Sequence, residues 1–163
     1  MSRGPDWSRI RAVVTAYVQP GEQLQALFTA LIPRPGSDGL VVSGALVPLF
    51  WAVQRVAWER AARAVSQATG VPVAPRMIVA LTPTRMVIWR AARNWRLGDL
   101  SGELPRDRII GVTTAGVGTR SRRLILHLST GSTVAMRVAP AVADQLTAMF
   151  SGETTTAQDI LLL

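Results

Sequence analysis

Arginine is the side chain with the most chemistry to offer in this sequence, because other reactive groups are scarce. The 163 residues include no cysteine, one histidine and ten carboxylates, against 18 arginines and no lysine. A structural zinc site takes four cysteine or histidine ligands, and a hydrolytic triad needs a serine with histidine and acid partners. We therefore predict no catalytic residue, no metal site and no cofactor, and we interpret the chain as a non-enzymatic binding module.

The densest group of arginines lies in the segment 89–96, which reads WRAARNWR. Its three guanidiniums, Arg90, Arg93 and Arg96, are interleaved with the indoles of Trp89 and Trp95. Arginine beside tryptophan can bind an anionic single strand by charge and stacking, or lie at the level of lipid headgroups. The segment can also be a hairpin tip whose long side chains cover apolar surface. The sequence leaves both interpretations open.

A second group of arginines, Arg120, Arg122 and Arg123, follows the glycine-containing segment 116–119. Glycines beside arginines can present backbone N–H groups to a phosphate, but the Gly-Lys-Ser/Thr ending of a nucleotide loop is missing. A solvated loop between strands is the ordinary interpretation of such charge. Together with Arg85 and the arginines of the segment 89–96, these residues form our candidate anion- or lipid-binding set.

The formal net charge of +8 attracts anionic partners without choosing among them. We expect first a protein partner or a second copy of the chain, then an anionic membrane surface, with nucleic acid ranked below both. No apolar leader precedes Arg9, and the uncharged stretch 39–54 is shorter than the roughly 20 residues of a membrane span. We therefore expect a cytoplasmic protein that could associate peripherally with a membrane.

The first half of the chain has helical patterns around one short strand. Asp6 can cap a helix that Pro20-Gly21 stops, the segment 22–32 fits a strand, and the segment 33–39 is a loop by its proline and glycine content. A long helix is predicted to begin near Gly44 and to end at Gly70. Its predicted apolar face consists of Leu46, Phe50, Val53, Ala57, Ala61, Ala64 and Ala68.

The second half has the alternation of strands. Short strands are predicted at 77–81, 86–91, 107–114, 123–129 and 133–138, with turns at 82–85 and at Thr130-Gly131. An amphipathic helix is predicted from Pro140 to Phe150. Glu103 and Asp107 fall in a predicted turn among arginines, where salt bridging explains them. His127 fits an ordinary strand residue.

Three motifs of this second half resemble the bacterial pleckstrin-homology-like and GRAM-like domains. They lie in ALTPTRMVIWR, in GELPRDRIIGV and in LILHLSTGSTVAMRV, which precedes the last helix. The matching residues are Leu81, Thr82, Arg85, Leu104, Pro105, Asp107, Ile109, Val112, Gly131 and the helix from Pro140. Because the motifs are short and apolar, the resemblance indicates a fold more than a function.

The resemblance implies an α+β fold, an antiparallel β-sandwich or barrel with a C-terminal capping helix and a helical insertion in the N-terminal half. We expect an N-terminal amphipathic helix at 1–20, a PH-like domain at 21–152 with its insertion at 40–70, and a tail at 153–163. Phosphoinositide-binding members carry basic residues along the first strand and the loop after it. Here that loop offers only Arg34, which argues against recognition of an inositol phosphate.

The insertion helix has more apolar side chains in its first half than one packing face can bury. Phe50, Trp51 and Trp58 of this helix, together with Trp89 and Trp95, form our candidate interaction surface. We expect part of this surface to meet a partner, and self-association anchored by Trp51 is the preferred hypothesis. The apolar end of the tail can dock as an added strand or fray.

Overall fold

The computed structural model describes residues 4–35, 47–116 and 119–152. For residues 47–50 it describes the backbone only. Phe50 as a contact residue and the tail at 153–163 therefore lie outside the described residues. The described elements, in chain order, are α1 (Trp7–Tyr17), β1 (Ala26–Leu31), α2 (Val47–Thr69), β2 (Arg76–Leu81), β3 (Arg85–Ala91), β4 (Leu97–Pro105), a 3-10 helix (Arg106–Arg108), β5 (Ile109–Ala115), β6 (Arg122–Leu128), β7 (Thr133–Val138) and α3 (Pro140–Phe150).

The seven described strands form one antiparallel sheet in the order β4-β3-β2-β1-β7-β6-β5. Only the 3-10 helix separates β4 from β5, although these strands lie at opposite edges of the sheet. A flat sheet of this size would be about 29 Å wide, whereas the short linker reaches about 15 Å. The sheet must therefore curl until its edges approach each other. The predicted α+β architecture with an antiparallel sheet and a C-terminal helix is confirmed.

The inner face of the curled sheet holds the main core. Leu124, Leu126 and Leu128 of β6 are buried at alternate positions, as their spacing predicts. β7 follows the same alternation, and α3 adds Val142, Ala143 and Leu146 to the same cluster. The C-terminal helix therefore closes the core that the strands leave open.

The outer face of the sheet carries a second, smaller core beneath α1. Ile10 and Val14 of this helix pack against Ile78 and Ala80 of β2 and against a group on β3, namely Val87, Trp89 and Ala91. Asp6 caps α1 as predicted, because its Oδ1 accepts the N–H of Arg9 at 3.3 Å. β2 and β3 are consequently covered on both faces, which explains their nearly continuous apolar sequences.

The long helix α2 lies between β1 and β2 and ends at Thr69, just before Gly70, whose φ of +70° suits a glycine. Its predicted apolar face is wrong. The buried stripe contains Trp58, Ala62 and Thr69, whereas Val53, Ala64 and Ala68 are exposed. The rotation of the helix is set by the large indole of Trp58, which outweighs the small area that each alanine can bury.

The sequence patterns do not predict β4. Its residues are mostly exposed, and its pairing with β3 is irregular around Trp89. Gly102 has a φ of +149°, and a Cβ at this position would lie 2.9 Å from Pro72. Only glycine fits at position 102, and a glycine weakens the alternating pattern by which a strand is predicted from the sequence. Glu103 lies in β4 and Asp107 in the 3-10 helix, so the single turn predicted for both is wrong.

Candidate functional site

A groove of about 600 Å³ opens at one end of the sheet, between the first half of α2 and the tip of the β3–β4 hairpin. Two indoles, Trp51 and Trp58, line it. Two carboxylates, Glu59 and Asp99, face five guanidiniums, namely Arg34, Arg55, Arg76, Arg90 and Arg93. We refer to this site as the arginine–tryptophan groove. Its lining is therefore aromatic and strongly cationic.

Antiparallel pairing brings these residues together from distant parts of the sequence. Leu31 at the end of β1 pairs with Arg76 at the start of β2, and Met77 pairs with Arg90 near the end of β3. Ala91 in turn pairs with Leu97 at the start of β4. The loop after β1, the start of β2 and the β3–β4 tip therefore meet at one end of the sheet.

Trp58 anchors the floor of the groove. It is 7% exposed, and its Nε1–H donates to the carbonyl oxygen of Ile32 at 2.7 Å. The Cζ atom of Arg34 lies 4.4 Å from the centroid of this indole, and that of Arg76 lies 5.6 Å from it. The indole thus holds two guanidiniums by cation–π contact.

Three of the groove arginines crowd one another. Nη1 of Arg76 donates to the carbonyl oxygen of Arg93 at 2.6 Å. Burial lowers the pKa of Arg76, and the nearby charges of Arg34 and Arg93 lower it further. Among the described residues, no ion pair joins a carboxylate to Arg34, Arg76 or Arg93. Their positive charge therefore remains without an acidic partner in that part of the chain.

One ion pair lies along one side of the groove. Nη1 of Arg90 lies 2.9 Å from Oε1 of Glu59, which links the end of β3 to α2. This ion pair is partly exposed, so it contributes little to stability. It does restrict where a ligand can enter, because it joins the two walls.

The segment 89–96 forms the tip of the β3–β4 hairpin. A hairpin tip is one of the two interpretations that the sequence leaves open. The N–H of Trp95 donates to the carbonyl of Ala92, and Trp95 has a φ of +59°. A left-handed conformation is rare for a bulky residue and costs on the order of 1–3 kcal/mol, so the tip is held by its surroundings. Arg93 points to the groove, whereas Arg96 is exposed and does not line it.

The four described aromatic residues of the predicted interaction surface, all tryptophans, lie in different environments. Trp51 is 55% exposed on the groove wall, with the Cζ atom of Arg34 at 5.8 Å from its ring centroid. Trp89 is 4% exposed and lies beneath α1, where Tyr17 meets it edge-on at 5.5 Å. Trp89 therefore belongs to the outer core. Trp95 is partly buried against the same core and lies 5.9 Å from Arg76.

Arg85 lies at the opposite end of the sheet and is fully neutralised. Its guanidinium lies 3.0 Å from Glu22 and 2.7 Å from Glu103, and Tyr17 donates a hydrogen bond to Glu103 at 2.7 Å. The hydroxyls of Thr82 and Thr84 also donate to Glu22. We call this arrangement the Arg85 network.

The Arg85 network shifts the ionisation of its members. Hydrogen bonding to Arg85, followed by the two threonine hydroxyls, lowers the pKa of Glu22 from 4.5 to about 2. The hydroxyl of Tyr17 and then Arg85 lower the pKa of Glu103. The two carboxylates raise the pKa of Arg85 in return. Because two carboxylates already contact its single positive charge, Arg85 has little capacity left for an external anion.

The other predicted residues do not line the groove. Arg122 pairs with Asp144 of α3, and Arg123 in β6 and Arg120 just before this strand are exposed. His127 shares a hydrogen bond of 2.8 Å with Thr113 on the neighbouring strand. Within the described residues, no group of three or more histidine, cysteine, aspartate or glutamate side chains could hold a metal ion.

Sequence reasoning missed Arg34, Arg55 and Arg76 as site residues. Each stands alone in the sequence, so no local cluster marks it. Arg34 is the one basic residue of its loop in the sequence. Its cation–π contact, however, is with Trp58, which is 24 residues further along the chain. Only strand pairing brings Arg76 to the same place.

Comparisons with protein-family models, with curated proteins and with solved structures found no match to this chain. In residues 4–35, 47–116 and 119–152, no helix is long and apolar enough to cross a membrane. The groove's own geometry and charge are therefore the basis on which its ligand can be inferred.

Proposed function

We propose that this chain is a non-enzymatic binding module of the pleckstrin-homology-like type, which holds an anionic partner in the arginine–tryptophan groove. The observation that carries the proposal is the cluster of Arg34, Arg76 and Arg93, which the described residues leave without a carboxylate. Three like charges held close together repel one another. An anion that enters the groove relieves this repulsion, which no carboxylate of residues 4–35, 47–116 and 119–152 does.

The order of elements supports the pleckstrin-homology-like assignment. β1 to β4 follow one another across one half of the sheet, β5 to β7 across the other half, and β1 lies beside β7. The final helix contacts β5 and β6. This arrangement agrees with the curled sheet, the capping helix and the insertion between the first two strands that the motif resemblance implies.

Charge balance elsewhere in the molecule supports the placement of the site. Arg85 and Arg122, outside the groove, each have an acidic partner, and so does Arg90 on the groove wall. Arg34, Arg76 and Arg93 have none among the described residues, and they lie close enough together for the charges of Arg34 and Arg93 to lower the pKa of Arg76. Guanidiniums with free N–H donors are suited to bidentate contacts with phosphate or carboxylate oxygens.

The test is isothermal titration calorimetry with inorganic tripolyphosphate, a small and highly charged probe. We compare the wild type with a groove variant that combines Arg34→Gln, Arg76→Gln and Arg93→Gln. The control combines Arg120→Gln, Arg122→Gln and Arg123→Gln. Both variants remove three positive charges, so each lowers the formal net charge from +8 to +5. Circular dichroism checks that both remain folded.

We expect the groove variant to bind tripolyphosphate at least about tenfold more weakly than the wild type, since each charge-assisted contact is worth more than 1 kcal/mol. The control should stay within about threefold. Equal weakening of both variants would show that net charge alone governs binding. Absence of binding by the wild type would contradict the proposal directly.

Self-association is a second candidate function, and exposed apolar side chains on α2 favour it. Trp51, Val53 and Val56 are exposed by 55%, 59% and 52%. Val53 and Val56 lie about 140–160° from Trp51 around the helix axis, so a contact with a second copy would bury either the two valines or Trp51, and either burial is favourable. Light scattering at high micromolar concentration tests this function. A dimeric wild type that Trp51→Glu or Val53→Glu makes monomeric supports it, and a monomeric wild type contradicts it.

A further inference from the structure

We infer that the anion of the arginine–tryptophan groove is a nucleotide unit, a phosphate ester that carries a planar base. Single-stranded nucleic acid and free nucleotides share this chemistry. The inference rests on the proposed function, because it specifies the ligand of the same groove.

The arginines over Trp58 are suited to phosphate. Arg34 and Arg76 lie over its indole, at 4.4 and 5.6 Å from the ring centroid. A cation–π contact restricts the position of a guanidinium and uses none of its N–H groups as hydrogen-bond donors. Arg76 uses one N–H group on the carbonyl of Arg93. The cluster is thus ordered before the ligand arrives, which lowers the entropic cost of binding.

The aromatic lining is suited to a base. Nucleic-acid bases stack on indoles and on guanidinium planes. The groove offers both kinds of surface, because Trp51 is 55% exposed on its wall and Arg34 lies 5.8 Å from the centroid of that ring. A ligand with only a charged group would contact the guanidiniums and not the exposed indole. A phosphate ester with a planar base contacts the cationic and the aromatic parts together.

The shape of the site favours a nucleotide over a bilayer. A groove of about 600 Å³ has the volume of a small-ligand site and is concave, whereas a membrane surface is flat at this scale. An inserting helix presents its apolar residues on one face. On α2, Val53 is about 160° and Val56 about 140° away from Trp51 around the helix axis. The exposed apolar residues therefore do not form a single inserting face with the groove.

The experiment measures fluorescence anisotropy with two labelled oligomers of about eight units, a length within the usual range for one single-strand site. One is oligothymidylate, and the other is the matched abasic phosphodiester with the same charge and no bases. We expect oligothymidylate to bind about tenfold more tightly, which is the contribution of one stacked base. Thymidine monophosphate and phosphatidylglycerol vesicles, used as competitors, distinguish the sources of the phosphate.

Three variants locate the effect. Trp51→Leu should remove most of the preference for oligothymidylate while retaining the affinity for the abasic oligomer. The groove variant should weaken the binding of both oligomers at least about tenfold. Val53→Ala, on the opposite side of α2, is the matched control and should change neither affinity.

The outcomes separate this inference from the proposed function. Equal affinity for the two oligomers, with tripolyphosphate still bound, overturns the nucleotide inference and leaves anion binding intact. Vesicle binding without oligothymidylate binding also overturns it, in favour of a lipid headgroup. If the wild type binds none of the anionic probes, both proposals fail. Competition by thymidine monophosphate supports the inference and identifies the free nucleotide as a sufficient ligand.

Discussion

Arg76 and Arg85 begin the two strands of one antiparallel hairpin, so they lie at opposite ends of it and in opposite electrostatic surroundings. Arg85 contacts two carboxylates, and its network connects α1, the segment before β1, the turn between β2 and β3, β3 and β4. Arg76 lies between two other arginines and contacts an indole and a carbonyl oxygen. The same residue type is therefore paired with carboxylates at one end of the hairpin and lies among like charges at the other.

This difference shows that the number of arginines in a segment predicts a binding site poorly. The partners of each arginine predict it better. A guanidinium whose N–H groups already meet carboxylates gains little from an external anion. A guanidinium that lies among like charges gains more, because the anion removes a repulsion. The same distinction predicts which substitutions affect stability and which affect binding.

The largest expected effect is on stability at the paired end. Arg85→Ala should lower the free energy of unfolding by about 3 kcal/mol, because it leaves the Glu22 carboxylate, 8% exposed, without its cation. Arg76→Ala is the matched control and should change stability by less than about 1 kcal/mol. Urea unfolding of both variants measures the contrast. Equal losses would mean that the two ends do not differ as described.

Acid should act on the same end of the sheet. The pKa of Glu22 is about 2 in the folded chain and 4.5 ordinarily, so its ionisation stabilises the fold above pH 4.5. That stabilisation is lost as the pH falls from 4.5 through 2, and we expect a loss on the order of 2 kcal/mol. Glu22→Gln should flatten the dependence of unfolding free energy on pH in this window. A variant as acid-sensitive as the wild type would exclude Glu22 as the main titrating group.

A smaller effect is expected at the floor of the groove. Trp58→Phe removes the Nε1–H donor and leaves the carbonyl of Ile32 without that partner, at a cost of about 1–2 kcal/mol. Trp51→Phe, at a largely exposed position, should cost less than about 0.5 kcal/mol. Thermal unfolding compares the two. If Trp58→Phe is as stable as Trp51→Phe, the hydrogen bond does not hold the groove floor.

Local sequence signals predicted much of the fold. The capping of α1 by Asp6, the leucine alternation of β6 and the proline start of α3 each depend on residues close together in the chain. β4 escaped prediction because Gly98 and Gly102 interrupt its pattern for reasons of packing against other segments. The packing face of α2 was wrong because it depends on where Trp58 docks.

The candidate site was predictable only in part for the same physical reason. Arg90 and Arg93 were found because they belong to one dense local segment that does form a wall of the groove. Arg34 and Arg76 were not found, because strand pairing and the stacking on Trp58 create their proximity. The acidic partners of Arg85 are 63 and 18 residues away in sequence, so its neutralisation was equally invisible.

The most direct test of ligand binding at the groove end is the set of indole Nε1–H resonances in a ¹H–¹⁵N correlation spectrum during titration with tripolyphosphate. Trp51 and Trp58 line the groove, whereas Trp7 and Trp89 belong to the outer core with α1. We predict that the resonances of Trp51 and Trp58 shift with the anion and that those of Trp7 and Trp89 stay in place. Shifts confined to Trp7 and Trp89, or no shift at Trp58 under saturating anion, would contradict binding in the arginine–tryptophan groove.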